Sequence, residues 1–578
     1  MNAKRIIPTL FLLTATVVAQ SATPEAPKKA RSKKASAPSA TEQLASQVQQ
    51  LRQMMETQQQ QIQQLQQQVQ SRDQQITALQ NAANEARSHA ETAAATSSQN
   101  AQTVSSLQST VSDLKANTTN MAATMQEEQK RATEMVESPL AIHFKGVTLT
   151  PGGFLAAESV YRQHGTASDV NTPFNSIPFP GADVAHLSEW FGSGRQSRIT
   201  LLGEGKLKNM KLTGYFETDW LSAGVTSNNN QSNSYTNRQR QIWGQAALNS
   251  GWSFTGGQMW SLVTETKKGL DNRTEATPLS IDAQYVVGFS WARQFGFRVV
   301  KNFNNKAWLG FSVENPQTTF SARNAPTNFV IGAAGTGGGL YNPTANYSLN
   351  YTPDFIVKAA FEPGFGHYEV FGIISNFRDR VYPTGGTPFN DKRTGGGGGA
   401  NARWSVANKH LDIGIHGLIG DGVGRYGTSS LPDATIRPDG TLSLIHSYQA
   451  LGTLEWHSTH WDIYANAGGE YAARTMYVNS AGTLVGYGVP TTNSSACRVE
   501  AAPSGNSGFA PSTGGCPDTR NLIEGTLGFW YKIYNGPKGR LQLGPQYEYV
   551  VRNTWRATTG APSTNENIVL TSFRYYLP

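Results

Sequence analysis

The sequence predicts an all-β transmembrane barrel of about 16 antiparallel strands, preceded by a long α-helical coiled coil. Three observations lead there. Residues 139–578 fall into strand-length runs that alternate apolar and polar side chains, joined by turns that are short and long by rotation. Nothing in that region is long and apolar enough for a membrane helix. Residues 42–137 repeat apolar positions about every 3.5 residues instead.

The segment NLIEGTLGFWYKIYNGPKGRLQLGPQYEYV, residues 521–550, displays the β pattern most clearly. Ile523, Leu527, Phe529, Tyr531 and Ile533 alternate with Glu524, Thr526, Trp530 and Lys532. After the turn NGPKG, Leu541, Leu543, Tyr547, Tyr549 and Val551 alternate with Arg540, Gln542, Gln546, Glu548 and Arg552. Strands that keep one face apolar and the other charged fit a wall between lipid and water.

Composition agrees with such a wall. The chain has 578 residues, only 38% of them hydrophobic, with 57 Gly and 12 Trp. A packed soluble protein of this size is richer in Leu, Ile and Val. The formal charge of +8 raises nucleic acid as a partner, yet no basic stripe or recognition motif accompanies it.

From the N-terminus, Lys4 and Arg5 precede an apolar stretch from Ile6 to Val18 and then small residues, a secretory signal over 1–19 with cleavage expected after Ala19. Residues 20–41 are a Pro/Ala/Lys-rich linker that cannot bury a core. Over 42–137 the seam runs through Leu44, Val48, Leu51, Met55, Ile62, Leu65, Val69, Ile76 and Leu79. Alanines hold it at Ala83, Ala86, Ala90 and Ala93, and Val104, Leu107, Val111, Leu114, Met121 and Met125 resume it. This predicts a periplasmic coiled coil, a rod of about 130 Å. β-Branched residues with Leu lean toward two strands, while Gln58 and Asn100 in the seam can specify another state, so its order stays open.

The expected barrel strands are 142–161, 197–207, 210–221, 237–249, 252–262, 284–301, 306–315, 354–362, 367–378, 398–407, 410–420, 442–457, 460–474, 521–534, 539–555 and 566–577. An even count returns the C-terminus to the side on which the chain entered. Cys497 and Cys516 lie in one Gly/Ser/Pro-rich connection. In an oxidising compartment a disulfide is the natural reading, with two free thiols as the alternative.

Strand parity selects lumen-facing side chains. With Ile199, Leu201 and Leu207 toward lipid, Arg198, Glu204 and Lys206 point inward; with Leu212, Phe216 and Trp220 outward, so do Lys211, Tyr215, Glu217 and Asp219. The same argument turns Arg298, Lys358, Arg403, Arg540, Arg552 and Arg574 to the lumen. Bases outnumber acids there, although any of them can equally brace the wall as a salt-bridge partner.

Enzymatic patterns are missing. The ten histidines are scattered, and His457 and His460 merely flank a turn. The run TGGGGGA at 394–400 lacks the Lys-Ser/Thr of a phosphate loop and is read as a flexible strand entry. No cofactor or metal is expected.

The segments IHFKGVTLTPGGFLAAESVYR, LTGYFETDWL, NSYTNRQRQIWGQAAL and GGQMWSLVTETKKGLDNRTEATPLSIDAQYVVGFSWARQFGFRVVKN resemble outer-membrane porins of the DcaP-like type, most of all versions from acidobacteria. The resemblance spans nearly all the mature chain and is strongest over 142–315. It implies a homotrimer of barrels in the bacterial outer membrane, with the helical arm in the periplasm, passively admitting small anionic or polar solutes such as dicarboxylates. It also implies that the connection 263–284, VTETKKGLDNRTEATPLSIDAQ, folds into the lumen. Glu265, Lys267, Lys268, Asp271, Arg273 and Glu275 would then form a charged constriction, the acids opposing the bases. A structural anchor, whose arm tethers the membrane to peptidoglycan, is the alternative function.

Overall fold

In a computed structural model of the chain, the described residues are 79–86, 142–222, 235–332, 349–490, 494–500 and 516–578. The chain divides into two units, Met1–Thr110 and Val111–Pro578. In the first, residues 79–86 form an exposed α-helix. The rest of 42–137, the signal segment and the linker lie outside the described residues.

The second unit is built on one sheet of 19 hydrogen-bonded pieces. Three are short: Ile142–Phe144, Glu189–Ser193 and Phe329–Val330. The others form the wall: β1 (Val147–Arg162), β2 (Arg198–Lys206), β3 (Met210–Ser222), β4 (Thr236–Leu248), β5 (Trp252–Trp260), β6 (Arg293–Phe303), β7 (Ala307–Glu314) and β8 (Asp354–Phe361). They continue with β9 (His367–Val381), β10 (Phe389–Val406), β11 (Leu411–Asp421), β12 (His446–His457), β13 (Trp461–Ala472), β14 (Thr519–Gly536), β15 (Gly539–Thr554) and β16 (Ser563–Tyr576). Each pairs antiparallel with the next. β16 then returns to β1, from Phe154↔Tyr576 to Arg162↔Ile568. Closure leaves no unpaired edge, as hydrocarbon requires.

The two faces sort as alternation demands. Ile523 and Leu527 are more than half exposed on the outside, whereas Glu524 between them is 1% exposed on the inside. Trp252, Phe303, Phe361, Trp456, Trp461 and Tyr534 stand exposed at strand ends beside short turns, where an aromatic girdle meets the lipid–water boundary. Short turns use left-handed backbone: Asn304 and Asn305 have φ of 54° and 55° between β6 and β7.

Several boundaries differ from expectation, for physical reasons. β6 begins at Arg293 rather than 284, because 284–292 belong to an inward-folded loop. Glu189–Ser193 continues the β2 course along β1, so that wall is taller than expected. β9 and β10 run on to Val381 and back from Phe389, which shrinks an expected long connection to 382–388. The glycine run at 394–400 is therefore the body of β10 and not a strand entry. There Gly399 makes room for the neighbouring β9 ring, since a Cβ would lie 2.2 Å from Phe371 Cζ. Residues 442–444 belong to a separate hairpin, Ala434–Ile436 with Leu442–Leu444, ahead of β12.

The orientation of β14 generates a test. Replacing Leu527, midway along its lipid face, by Arg should destabilise the barrel in vesicles by about 2–4 kcal/mol in a folding titration. A neutral effect would place that face in water.

Candidate functional site

The loop 261–292 joins β5 to β6 and lies inside the barrel. A chain segment there must find partners for its backbone amides without help from a sheet. The wall supplies them mainly as side-chain oxygens. Leu262 N donates to Glu314 Oε1 at 2.8 Å, Thr266 N to Glu369 Oε1 at 3.1 Å and Leu279 N to Glu455 Oε1 at 3.2 Å. Farther along, Ile281 N donates to Gln546 Oε1 at 2.6 Å, Val287 N to Glu524 Oε2 at 2.7 Å and Gly288 N to Glu470 Oε1 at 2.9 Å. Bonds to charged acceptors contribute about 1.5–3 kcal/mol each.

Wall bases serve the loop carbonyls in the same way. Lys358 Nζ donates to Thr264 O at 2.8 Å and Arg574 Nη2 to Ile281 O at 3.3 Å, while Arg298 Nη2 holds Trp260 O, the last carbonyl of β5 before the loop, at 2.5 Å. Lys358 also pairs with Glu369 at 2.8 Å, and Arg574 with Glu158 at 2.6 Å. Apolar side chains complete the anchorage. Leu270 packs with Val300, Trp308 and Ala360, and Leu262 and Val263 pack with Ile356, Phe371 and Ile373.

This docking sorts the loop's charges. Lys267, Lys268, Asp271 and Arg273 are exposed. Glu265 is 5% exposed and turned to the wall, 3.8 Å from Arg403 Nη1. Glu275 is half-buried, with Oε1 closed off from solvent. The expected opposition of three acids to three bases thus reduces to one exposed acid, Asp271, because Glu265 is buried and Glu275 half-buried. Arg273 reaches the opposite wall, its guanidinium 5.0 Å from the centre of the Tyr215 ring on β3.

That wall is arginine-rich. Arg238 Nη2 meets Asp219 at 2.8 Å, Arg240 Nη1 meets it at 2.7 Å, and Arg240 Nε also binds Glu217. Arg198 Nη1 lies 3.4 Å from Glu217, and Tyr215 donates to the same carboxylate at 2.8 Å. Arg293 sits over Trp260 and Trp291, at 4.9 and 5.2 Å, with no ion pair among the described residues. Three arginines thus share Glu217 and Asp219, and Arg293 adds a fourth guanidinium on the same wall.

Arg238, Arg240 and Arg293 escaped the sequence reading. On β4, parity counted from lipid-facing Ile242 puts Arg240 and Arg238 outside. The register instead slips between Glu217↔Gln241 and Thr218↔Gln239, leaving Arg240 as an extra residue. Two alternate arginines on an otherwise apolar outer parity were the available signal.

The remaining wall residues divide by task. Arg298, Arg403 and Arg574 brace the loop or its carboxylates. Arg552 donates to Ile177 O at 2.7 Å at the long-loop end, and Arg540 stacks on Tyr576 at 4.2 Å beside a short turn. Lys211 pairs with Glu204 at 2.5 Å, and Lys206 lies exposed at the same rim. Cys497 and Cys516 are joined in a disulfide, Cα atoms 5.3 Å apart, packed with Phe179.

Among the described residues, Asp412, Glu455 and His457 alone bring three ligating side chains within 4.8 Å. Arg403 Nη2 already takes Glu455 Oε2 at 2.7 Å and Asp412 Oδ2 at 3.4 Å, so a guanidinium fills the place of a metal.

No protein-family model and no curated protein sequence matches the chain. Solved structures do. The outer membrane channel DcaP of Acinetobacter baumannii is 14% identical with a TM-score of 0.51, over 75% of this chain and 99% of that one. An anion-selective porin from Comamonas acidovorans is 12% identical with a TM-score of 0.38, over 75% and 100%. OmpF of Salmonella typhi, in complex with daunomycin, is 10% identical with a TM-score of 0.41, over the same shares. The likeness to the first establishes a porin-like barrel fold.

The buried Lys358–Glu369 pair tests the anchorage. Glu369→Ala strands Lys358 and frees Thr266 N, and should lower stability by about 3–5 kcal/mol in denaturant unfolding of the detergent-folded protein. A loss below about 1 kcal/mol would remove this pair from the loop's support.

Proposed function

We propose that the chain is an outer-membrane porin, a passive channel for small polar solutes that prefers anions, dicarboxylates among them. The observation that carries this reading is the charge sorting on the inward loop. Lys267, Lys268 and Arg273 are exposed toward the lumen against Asp271 alone, and on the facing wall Glu217 and Asp219 pair with three arginines while Arg293 has no acid partner among the described residues. A narrow passage between low-dielectric walls focuses such a field. Unit charges 4 Å apart interact by about 4 kcal/mol at an effective dielectric of 20, enough to bias permeation.

The closed wall, its apolar outer face and its aromatic girdle support placement in an outer membrane. The signal at 1–19 and the helical arm at 42–137 fit an exported chain with its arm in the periplasm. A homotrimer is part of the proposal. The outer wall of β2–β4 carries Gly203, Gly205, Gly214, Gly244 and Ala246 in one shallow patch, where small residues let a second barrel approach closely. The heptad seam favours a further, compatible role for the arm in assembly or as a tether to peptidoglycan.

Two experiments test these readings. In a planar bilayer under a salt gradient, the zero-current potential should lie on the anion side and move toward cations in a Lys267→Glu, Lys268→Glu double variant. Wild-type cation selectivity would reject the basic constriction. Separately, deleting 42–137 should leave a barrel that inserts but whose oligomers dissociate at lower temperature in gel migration. Unchanged oligomers would leave the arm as a tether alone.

A further inference from the structure

On the outer face of β9 and β10 the alternation runs unbroken from the lipid surface into a group of bases. Val370 and Ile374 are more than half exposed, and Asn376, Arg378 and Arg380 follow at the same parity toward the long-loop end. The register sets Arg378 directly opposite Lys392 on β10, with Asn376 opposite Thr394 and Arg380 opposite Asn390. Tyr368, at the other end of β9, pairs with the girdle residue Phe361. About ten residues of about 3.3 Å, tilted by about 40°, raise Arg378 about 25 Å above it. That is the height of the apolar band, so the bases stand at the level of the outer headgroups.

Like charges directly opposite on one sheet face repel, and the acids of these strands do not relieve them. Asp379 and Asp391 alternate to the inner face. The outward Asp421 of β11 is taken by His446 at 2.8 Å. Arg378 Nε donates to Leu349 O at 2.9 Å, Arg380 Nη1 to Asn390 Oδ1 at 2.8 Å, and Lys392 Nζ lies 4.8 Å from the centre of the Tyr351 ring. These neutral partners orient the bases and leave their charge, and none of the three forms an ion pair among the described residues. Exposed Leu349, Tyr351 and Tyr382 stand around them, as at a headgroup boundary. Below and beside them the outer wall is hollowed by about 710 Å³ over Gly398, Ala400, Ile415, Gly417 and Ile419.

We propose, on the outer-membrane placement above, that Arg378, Arg380 and Lys392 bind the anionic phosphate of an outer-leaflet lipid, with an acyl chain lying along the hollow beneath. Guanidinium forks and an ammonium are fitted to phosphate oxygens. Basic pockets at a membrane surface select phosphorylated headgroups in the same way. The small-residue patch proposed for barrel contact, on β2–β4, lies far round the wall, so β9 and β10 face lipid.

The test uses native mass spectrometry of the full chain folded in detergent, with lipid A as the probe. The wild type should retain lipid A and not phosphatidylcholine, whose choline masks its phosphate. The Arg378→Gln, Lys392→Gln double variant should retain about tenfold less or below. A charge-matched pair at the short-turn end, Lys306→Gln with Lys409→Gln, should bind as the wild type does. Heat-modifiable gel migration reports that each barrel is folded, and Lys392→Gln alone carries the comparison if the double variant is not. Wild-type retention in the Arg378→Gln, Lys392→Gln variant would overturn the site. An equal loss in the short-turn pair would also overturn it, as the mark of general charge attraction, and displacement of lipid A by equimolar inorganic phosphate would exclude a lipid as its occupant. None of these failures touches the channel, whose selectivity is read separately in the planar bilayer.

Discussion

A backbone amide inside a barrel has no sheet to bond to, and every feature of the lumen follows from how the loop 261–292 meets that demand. Glu314, Glu369, Glu455, Glu470 and Glu524 act as acceptors along its length, with Gln546 among them. Carboxylates buried for this purpose then need their own counter-charges. Lys358 serves Glu369 and Arg403 serves Glu455, and both bases are consumed in doing so. Much of the lumen's formal charge is therefore structural.

What remains free is set by which side of the loop faces the wall. Apolar Leu262, Val263 and Leu270 and acidic Glu265 take the wall side, so Lys267, Lys268 and Arg273 are left on the other. The loop's charge sorting is thus a consequence of packing: Glu265 is buried against the wall near Arg403, and the bases are left on the exposed side. The contact of Arg273 with Tyr215 ties that front to β3, where Glu217 and Asp219 hold the arginines of β4 in place.

The barrel was legible because lipid on one side and water on the other impose a period of two on every strand. Ile523 and Glu524 could be placed on opposite faces from the sequence alone. Legibility ended wherever that period breaks. The bulge at Arg240 reverses parity within β4, and the glycines of β10 carry no side chains to alternate. A docked loop has no period at all, so Glu265 and Lys267 looked equivalent although one is buried and the other exposed. The Arg378–Lys392 juxtaposition depends on a strand extension that the turn-rich sequence of 382–388 concealed.

The central claim, that the loop turns Glu265 to the wall and leaves Lys267, Lys268 and Arg273 exposed, is tested most directly by cysteine accessibility in a bilayer recording. With Cys497 and Cys516 held in their disulfide, a single cysteine is introduced by Lys268→Cys or Glu265→Cys, and a charged, water-soluble thiol reagent is added during bilayer recording. The account predicts rapid modification and a stepwise fall in conductance for Lys268→Cys, with Glu265→Cys inert on the same time scale. Equal reactivity at both positions would contradict it.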